Sequence, residues 1–325
     1  MKILVTGAGG FIGSHVVEAL AGAGHKVRAL AHYNSRGSWG HLNETSASAR
    51  ERLEVRLGDV TDAAMMRALV DGCDVVLHLA ALIGIPYSYH APASYVATNV
   101  SGTLNLLEAC RAARVRRVVV TSTSEVYGTA RYTPIDEKHP LQAQSPYAAS
   151  KIAADKLAES YFCSFDLPVV TLRPFNTFGP RQSARAVIPS VLAQALSGAP
   201  EIRLGNLEPR RDVTYVEDTA QAFLLAVEAP GLEGEVVHFG QGEAVGVGEL
   251  AQRCLECVSS KAQIISVPER RRPEESEVGL LLCDAAKARR VLRWTPHVTL
   301  DEGLRRTAEY LRQHLEDYRH GQYVV

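Results

Sequence analysis

The chain carries almost no net charge. Its 325 residues hold 35 lysines and arginines against 36 aspartates and glutamates, a formal balance of −1. Nucleic-acid binding needs a basic excess on one face, so the balance argues against such a partner. The arginine clusters Arg111 to Arg117, Arg270 to Arg272 and Arg289 to Arg293 are short and read as solvated faces. Long apolar runs are missing too, which excludes a helical membrane span. Cysteine is sparse and scattered, at positions 73, 110, 163, 254, 257 and 283, so no disulfide framework is expected. Cys254 and Cys257 lie inside a helical pattern, Glu249 to Val258, with no second Cys/His pair nearby. They read as buried helix cysteines, and no metal site is expected. There is no internal repeat and no low-complexity tract. A core strand already begins at residue 2, which leaves no room for a signal peptide, so a cytoplasmic location with reduced thiols is expected.

What is present at once is a strand followed by a glycine turn. Lys2-Ile3-Leu4-Val5-Thr6 is a short apolar run, and Gly7-Ala8-Gly9-Gly10-Phe11-Ile12-Gly13 follows it. Apolar residues at Ile12, Val16 and Leu20 then keep helical spacing. Glycine permits a tight turn and the close approach of a phosphate to the backbone. A diphosphate there would meet the free N–H groups of a helix N-terminus. Strand, glycine turn and helix in this order predict dinucleotide binding.

Strand and helix patterns alternate downstream. Strands are expected at Lys2–Thr6, Lys26–Ala31, Leu53–Leu57, Val75–Leu79, Arg117–Thr121 and Val169–Arg173. Helices are expected at Ile12–Ala23, Ala63–Asp71, Ala93–Ala113 and Ser150–Phe165. This order predicts an α/β fold, a doubly wound parallel sheet of the Rossmann type. After Arg173 the rhythm breaks at Pro174, Gly179, Pro180, Pro189, Gly198, Pro200, Gly205 and Pro209, and a smaller C-terminal substrate-binding lobe is expected. Val236–Phe239 is expected to return to the main sheet. The division is residues 1–173, with about 213–240 returning, for the dinucleotide, and 174–212 with 241–325 for the substrate.

One cofactor signal departs from the usual pattern. A Rossmann unit commonly ends its second strand on a carboxylate that holds the adenosine ribose. Here Ala31 is followed by His32, Tyr33 and Asn34. His32, Asn34 or Arg36 remain to meet a ribose hydroxyl or a 2′-phosphate. Arg36 lies far along a loop and His32 is mostly neutral at pH 7, which favours NAD and leaves NADP open. Asp59, in Leu57-Gly58-Asp59-Val60, is placed either to accept from the adenine amino group or to cap the next helix.

The chemistry gathers further on. Tyr147 and Lys151, four apart after Pro146, share a helix face. A nearby ammonium favours phenolate, which suits Tyr147 as a base toward an alcohol being oxidised. The fifth strand ends in Thr121-Ser122-Thr123-Ser124-Glu125, and ligands bind at such carboxyl ends. Thr123 can bond the oxygen that Tyr147 deprotonates. Glu125 is a candidate base, or a loop ion pair.

Together these residues resemble the extended short-chain dehydrogenase/reductase family from Lys2 to about Tyr310. The resemblance rests on the glycine turn, His78-Leu79-Ala80-Ala81, Thr98-Asn99, the Thr123 segment, Tyr147 with Lys151, and Arg173-Pro174-Phe175-Asn176-Thr177-Phe178-Gly179-Pro180. Arg211-Asp212-Val213-Thr214-Tyr215-Val216-Glu217-Asp218 and Arg272-Pro273 extend it. Family members act on nucleotide-diphosphate sugars as 4-epimerases, 4,6-dehydratases, decarboxylases or reductases. The resemblance implies a nicotinamide cofactor held by Gly7, Gly9, Gly10, Phe11, Ile12, Gly13, His32, Asn34, Asp59, Val60, Leu79, Ala80, Ala81, Asn99, Tyr147 and Lys151. It implies substrate binding at Tyr87, Asn176, Val187, Arg211 and Arg272, with the arginines suited to the diphosphate.

Within the family, 4,6-dehydratases carry a Glu at the position of Glu125, where 4-epimerases usually carry a small residue. The resemblance thus implies catalysis by Thr123, Ser124, Glu125, Tyr147 and Lys151. Many dehydratases have an acid before that Glu; Ser124 stands there instead, as in the GDP-mannose 4,6-dehydratase branch. The runs Tyr33-Asn34-Ser35 with Trp39-Gly40, and Ala81 to Tyr89, look most like 4,6-dehydratases of nucleotide-activated N-acetylglucosamine, as in legionaminic acid pathways. A C4-epimerase is the alternative. A non-catalytic regulator of the same fold would not need Tyr147 and Lys151. The apolar stripes Val96, Val100, Leu104, Leu107 and Ile152, Lys156 stem, Leu157, Tyr161 are expected to pair with their copies in a homodimer.

Overall fold

The computed structural model describes residues 1–318; positions 319–325 of the expected substrate lobe lie outside the described residues. The strands are β1 (Lys2–Thr6), β2 (Lys26–His32), β3 (Leu53–Gly58), β4 (Val75–His78), β5 (Arg117–Thr121), β6 (Val169–Pro174), β7 (Asn176–Phe178), β8 (Glu201–Leu204), β9 (Arg210–Tyr215), β10 (Val236–Phe239), β11 (Ala244–Gly246), β12 (Gln263–Ser266) and β13 (Leu280–Leu281). Seven form one sheet in the order β10-β6-β5-β4-β1-β2-β3, and every pairing in it is parallel. Val75 to Leu77 and Val118 to Val120 are fully buried. Helices cover both faces, which explains why these strands are unbroken β-branched runs rather than alternating ones. β10 joins the edge beside β6, as its sequence position suggested.

From β1 the chain winds outward through β2 and β3, then returns to place β4 on the other side of β1. The crevice where the direction reverses is the natural ligand site of such a sheet. A second, smaller sheet joins β11, β9 and β13, with β7 also paired to β9. β9 lies in this small sheet over its whole length, so the stretch expected to return at about 213 begins with Val216–Glu228, the helix that follows it. A third pair, β8 with β12, flanks it. The hydrophobic core beneath the main sheet is distinct from the one built around Phe178, Leu192, Tyr215 and Leu250.

Two helices differ from their patterns. The expected Ala93–Ala113 helix is three pieces: Pro92–Tyr95, a π-turn stretch Val96–Ser101, and Gly102–Ala113. Gly102 explains the close packing there, since a Cβ on it would lie 2.7 Å from Val60 Cγ2. The expected Ser150–Phe165 helix starts earlier, at Pro146, because Ser145 Oγ accepts from Ala148 N at 3.1 Å and caps it. Among the described residues no helix is long and apolar enough to cross a membrane. None of them forms a cluster of three or more His, Cys, Asp or Glu fit for a metal ion.

Candidate active site

The glycine turn is packed to backbone contact. A Cβ on Gly7 would lie 2.7 Å from Ala80 N, one on Gly13 2.1 Å from the Gly7 carbonyl, and one on Gly9 2.6 Å from the Trp39 carbonyl. Gly7 also has φ +69°, a conformation that suits glycine. The helix Phe11–Gly22 starts at Gly10 with no side-chain cap. Its first-turn N–H groups are therefore left for an anion. These residues fit a dinucleotide diphosphate.

Around the turn, His32 and Asp59 face each other from the ends of β2 and β3, Nδ1 to Oδ2 at 3.7 Å. Asp59 Oδ1 accepts from Thr61 N and Oγ1 at 2.9 and 2.8 Å. The cap of the helix Ala63–Val70 is Asp62, which accepts from Ala64 and Met65; Asp59 does not serve that role. Asn34 spends its amide on its own loop, donating to Ser38 O at 2.8 Å and accepting from Ser38 N at 3.0 Å. Asn99, in the π-turn stretch, accepts from Leu82 N at 2.8 Å and donates to Leu82 O and Ser150 Oγ, each at 2.9 Å. It thus fixes the segment after β4, where Leu79, Ala80 and Ala81 run beside Gly7. Val60 is buried under Gly102.

The chemical residues converge at the ends of β4 and β5. Tyr147 and Lys151 occupy one face of the Pro146–Phe165 helix, and both are buried. Lys151 Nζ donates to the Thr121 carbonyl at 2.6 Å. Burial pushes the Tyr147 phenol above its usual range; the neighbouring Thr123 hydroxyl opposes this, while the charge of Glu125 adds to it. Burial likewise lowers the Lys151 ammonium. Tyr95 packs edge-on to Tyr147, ring centroids 6.2 Å apart, and Tyr87 stands beside Tyr95, 40% exposed at the mouth.

Ser124 is buried within the 3-10 turn Ser124–Tyr127, and Glu125 is half-buried at its start. Thr123 Oγ1 accepts from Glu125 N at 3.2 Å. The Glu125 charge disfavours the Tyr147 phenolate and favours the charged form of the buried Arg211.

Arg211, on β9, and Arg272 meet at Glu277, with N–O distances of 3.5 and 3.7 Å. Arg272 Nη1 is buried without a hydrogen bond. Asn176 opens β7 opposite Val213, and Val187 begins a helix with no side-chain cap. Glu277 and Ser276 were missed by sequence reasoning. Ser276 Oγ bonds Tyr89 Oη and the Gln144 carbonyl, both at 2.6 Å, and so lashes the Arg272 segment across the site. Serine and glutamate carry no spacing signal in that loop.

Residues 4–307 match the GDP-mannose 4,6 dehydratase family. The chain belongs to it. As a member of this nucleotide-sugar dehydratase and epimerase family, it is 34% identical to a UDP-glucose 4-epimerase of Mycolicibacterium smegmatis, over 96% of this chain and 99% of that one. It is also 34% identical to a dTDP-glucose 4,6-dehydratase of an Actinoplanes species, over 96% and 98%. Among solved structures it resembles a dTDP-glucose 4,6-dehydratase from Streptomyces venezuelae with NAD bound, at TM-score 0.90 and 31% identity, covering 98% of this chain and 99% of that one.

Proposed function

We propose that this family member is an NAD-dependent nucleotide-sugar 4,6-dehydratase. Its substrate is UDP-N-acetylglucosamine or the GDP form, and its product the 4-keto-6-deoxy sugar. The observation that carries the reaction type is Glu125, a half-buried carboxylate in electrostatic reach of both Tyr147 and Arg211. Sugar held by its diphosphate at Arg211 would bring its ring between these groups. The runs at Tyr33 and Ala81 support the N-acetylglucosamine assignment.

NAD supplies, when bound, a hydride acceptor for oxidation at C4 and the same hydride for C6 afterwards. The glycine turn and the Phe11–Gly22 N-terminus hold its diphosphate. Asp59, 3.7 Å from His32, puts negative charge at the ribose end and disfavours a 2′-phosphate. Tyr147 takes the 4-hydroxyl proton, while Thr123 fixes that oxygen. The C4 ketone acidifies C5. Glu125 takes the C5 proton and passes it to the C6 hydroxyl, which departs as water; C5 would then regain a proton from solvent as C6 is reduced, and Tyr147 would release its own to solvent. Arg211 and Arg272 hold the diphosphate, with Asn176, Tyr87 and the Val187 helix start lining the rest.

C4 epimerisation is the second reading, supported by the epimerase relative at equal identity. Mass separates the two. Incubation with a panel of UDP-, GDP- and dTDP-sugars should give a product lighter by one water; a product of unchanged mass overturns the dehydratase reading. Val96, Leu104 and Phe165 are exposed at 54%, 38% and 50%, which supports a homodimer through these helices. Leu107 and Tyr161 of the expected stripes are instead buried in this chain's own core, because a helix lying on a sheet turns part of its apolar face inward.

A further inference from the structure

We propose that Glu44 is a positioning residue that latches a strap, residues 33–44, against the dinucleotide cradle and so keeps NAD bound from one turnover to the next. The inference rests on the reading of the glycine turn as the seat of the NAD diphosphate.

The strap borders the cradle along its length. It leaves β2 at His32, where a Rossmann unit holds the adenosine ribose, and returns onto the glycine turn that takes the diphosphate. His41 N donates to the Gly9 carbonyl at 3.0 Å. A Cβ on Gly9 would lie 2.6 Å from the Trp39 carbonyl, and one on Gly40 2.5 Å from the Gly9 carbonyl. The two backbones are thus in direct contact. The strap is also stiff. Asn34 Oδ1 accepts from Arg36 N and Ser38 N at 3.2 and 3.0 Å, and Ser38 Oγ accepts from Gly40 N and Asn43 Nδ2, each at 3.2 Å. A stiff strap opens as a unit, so the fastenings at its end set how often it opens.

The inner fastening is Leu42, fully buried in the main core. The outer one is Glu44, the last residue of the 3-10 turn Gly40–Glu44. Its Oε1 lies 2.7 Å from His41 Nδ1, within the strap. Its Oε2 accepts from Arg181 Nε at 3.4 Å and from the Tyr310 hydroxyl at 3.0 Å. Both partners lie outside the nucleotide-binding half: Arg181 in the loop after β7, and Tyr310 in the helix Leu300–Gln313. Arg181 is 9% exposed, and a pair with a buried guanidinium is screened less than a surface pair. Arg181 also holds Ser14 and Glu18 on the helix Phe11–Gly22, whose N-terminus faces the diphosphate. One carboxylate therefore joins the strap to the wall of the cradle and to the C-terminal helix. The proposed reaction regenerates its cofactor, so slow release costs no turnover.

The test is nucleotide exchange in the NAD-loaded enzyme. The protein as purified is mixed with an excess of etheno-NAD, a fluorescent analogue, and its uptake is followed as NAD leaves. Glu44→Ala should exchange about tenfold faster or more, for the loss of two charge-assisted bonds. Tyr310→Phe removes one of them, and Glu44→Gln keeps an oxygen acceptor. Both should exchange faster than the native chain and slower than Glu44→Ala. Amide hydrogen exchange in NAD-loaded Glu44→Ala should rise in residues 33–44 and stay native in β1 and β4, a pattern that a general loss of stability does not give. Release at the native rate in folded Glu44→Ala overturns the inference. Where that variant does not fold, Tyr310→Phe decides: it loses a single hydroxyl, and native-rate release there overturns the inference equally. A native protein that yields no NAD on denaturation and takes up none of the analogue refutes the cradle reading itself. With NAD bound, the exchange rates report on Glu44 whichever sugar reaction follows.

Discussion

Arg181 grips Glu18 with two parallel hydrogen bonds, Nη1 to Oε2 at 2.9 Å and Nη2 to Oε1 at 3.0 Å. The pair joins the loop after β7 to the helix that begins at the glycine turn. Glu44 adds a third point, 3.4 Å from Arg181 Nε, and itself accepts from Tyr310 at 3.0 Å. A buried guanidinium thus ties the loop after β7 to the helix that follows the glycine turn.

Removing that guanidinium leaves Glu18 half-buried without its partner, while Glu44 keeps its bonds to Tyr310 and His41. Arg181→Met should cost about 3 kcal/mol of stability, read from the urea midpoint. Glu44→Gln should cost less, because Arg181 keeps its double bond to Glu18. Equal loss in the two variants would contradict the ranking.

The cofactor cradle has no room for a methyl group at Gly13. Gly13→Ala would put a Cβ 2.1 Å from the Gly7 carbonyl and should release the nucleotide. The protein is denatured after purification and the freed nucleotide identified: the native chain should yield NAD, and the variant little or none. NADP as the main species would reassign the ribose end to Arg36.

Glu125→Gln should fold and hold cofactor normally, yet fail at C5. Oxidation at C4 remains possible, so absorbance of reduced cofactor should rise on mixing with substrate while the 4-keto-6-deoxy product falls by about a hundredfold or more. Product at the native rate would remove Glu125 from the mechanism.

His15 gives a pH dependence of stability with a defined sign. Burial, then the Arg181 charge, lower it from 6.5 to about 4. The folded state thus binds its proton later than the unfolded chain, and stability present above pH 6.5 is lost as pH falls toward 4. The full effect is at most about 3 kcal/mol. Asp212 works oppositely: burial raises it from 3.8 to about 6, so its ionisation costs stability as pH rises through that window. His15→Gln should flatten the loss between pH 6.5 and 4 in urea titrations, and an unaltered slope would exclude His15 as its source.

Leu104→Glu should yield a monomer by light scattering if the exposed helix face meets its copy. A native chain that is already monomeric at micromolar concentration would remove the dimer.

The sequence by itself determined the parallel sheet, the glycine turn and the Tyr147–Lys151 face. Each is written in local periodicity: continuous β-branched runs for strands covered on both sides, glycines where no Cβ fits, and a four-residue interval on one helix. Even the late strand Val236–Phe239 was legible this way. Only the tertiary structure decided what depends on residues far apart. Glu277 between Arg211 and Arg272, Ser276 tied to Tyr89, and Asn99 spent on Leu82 rather than left free are pairings over long separations, and no periodicity announces them. The π-turn stretch before Gly102 and the inward turn of Leu107 have the same origin. Helical spacing states that a face is apolar; the packing of Val60 and the sheet beneath it chooses which side that face covers.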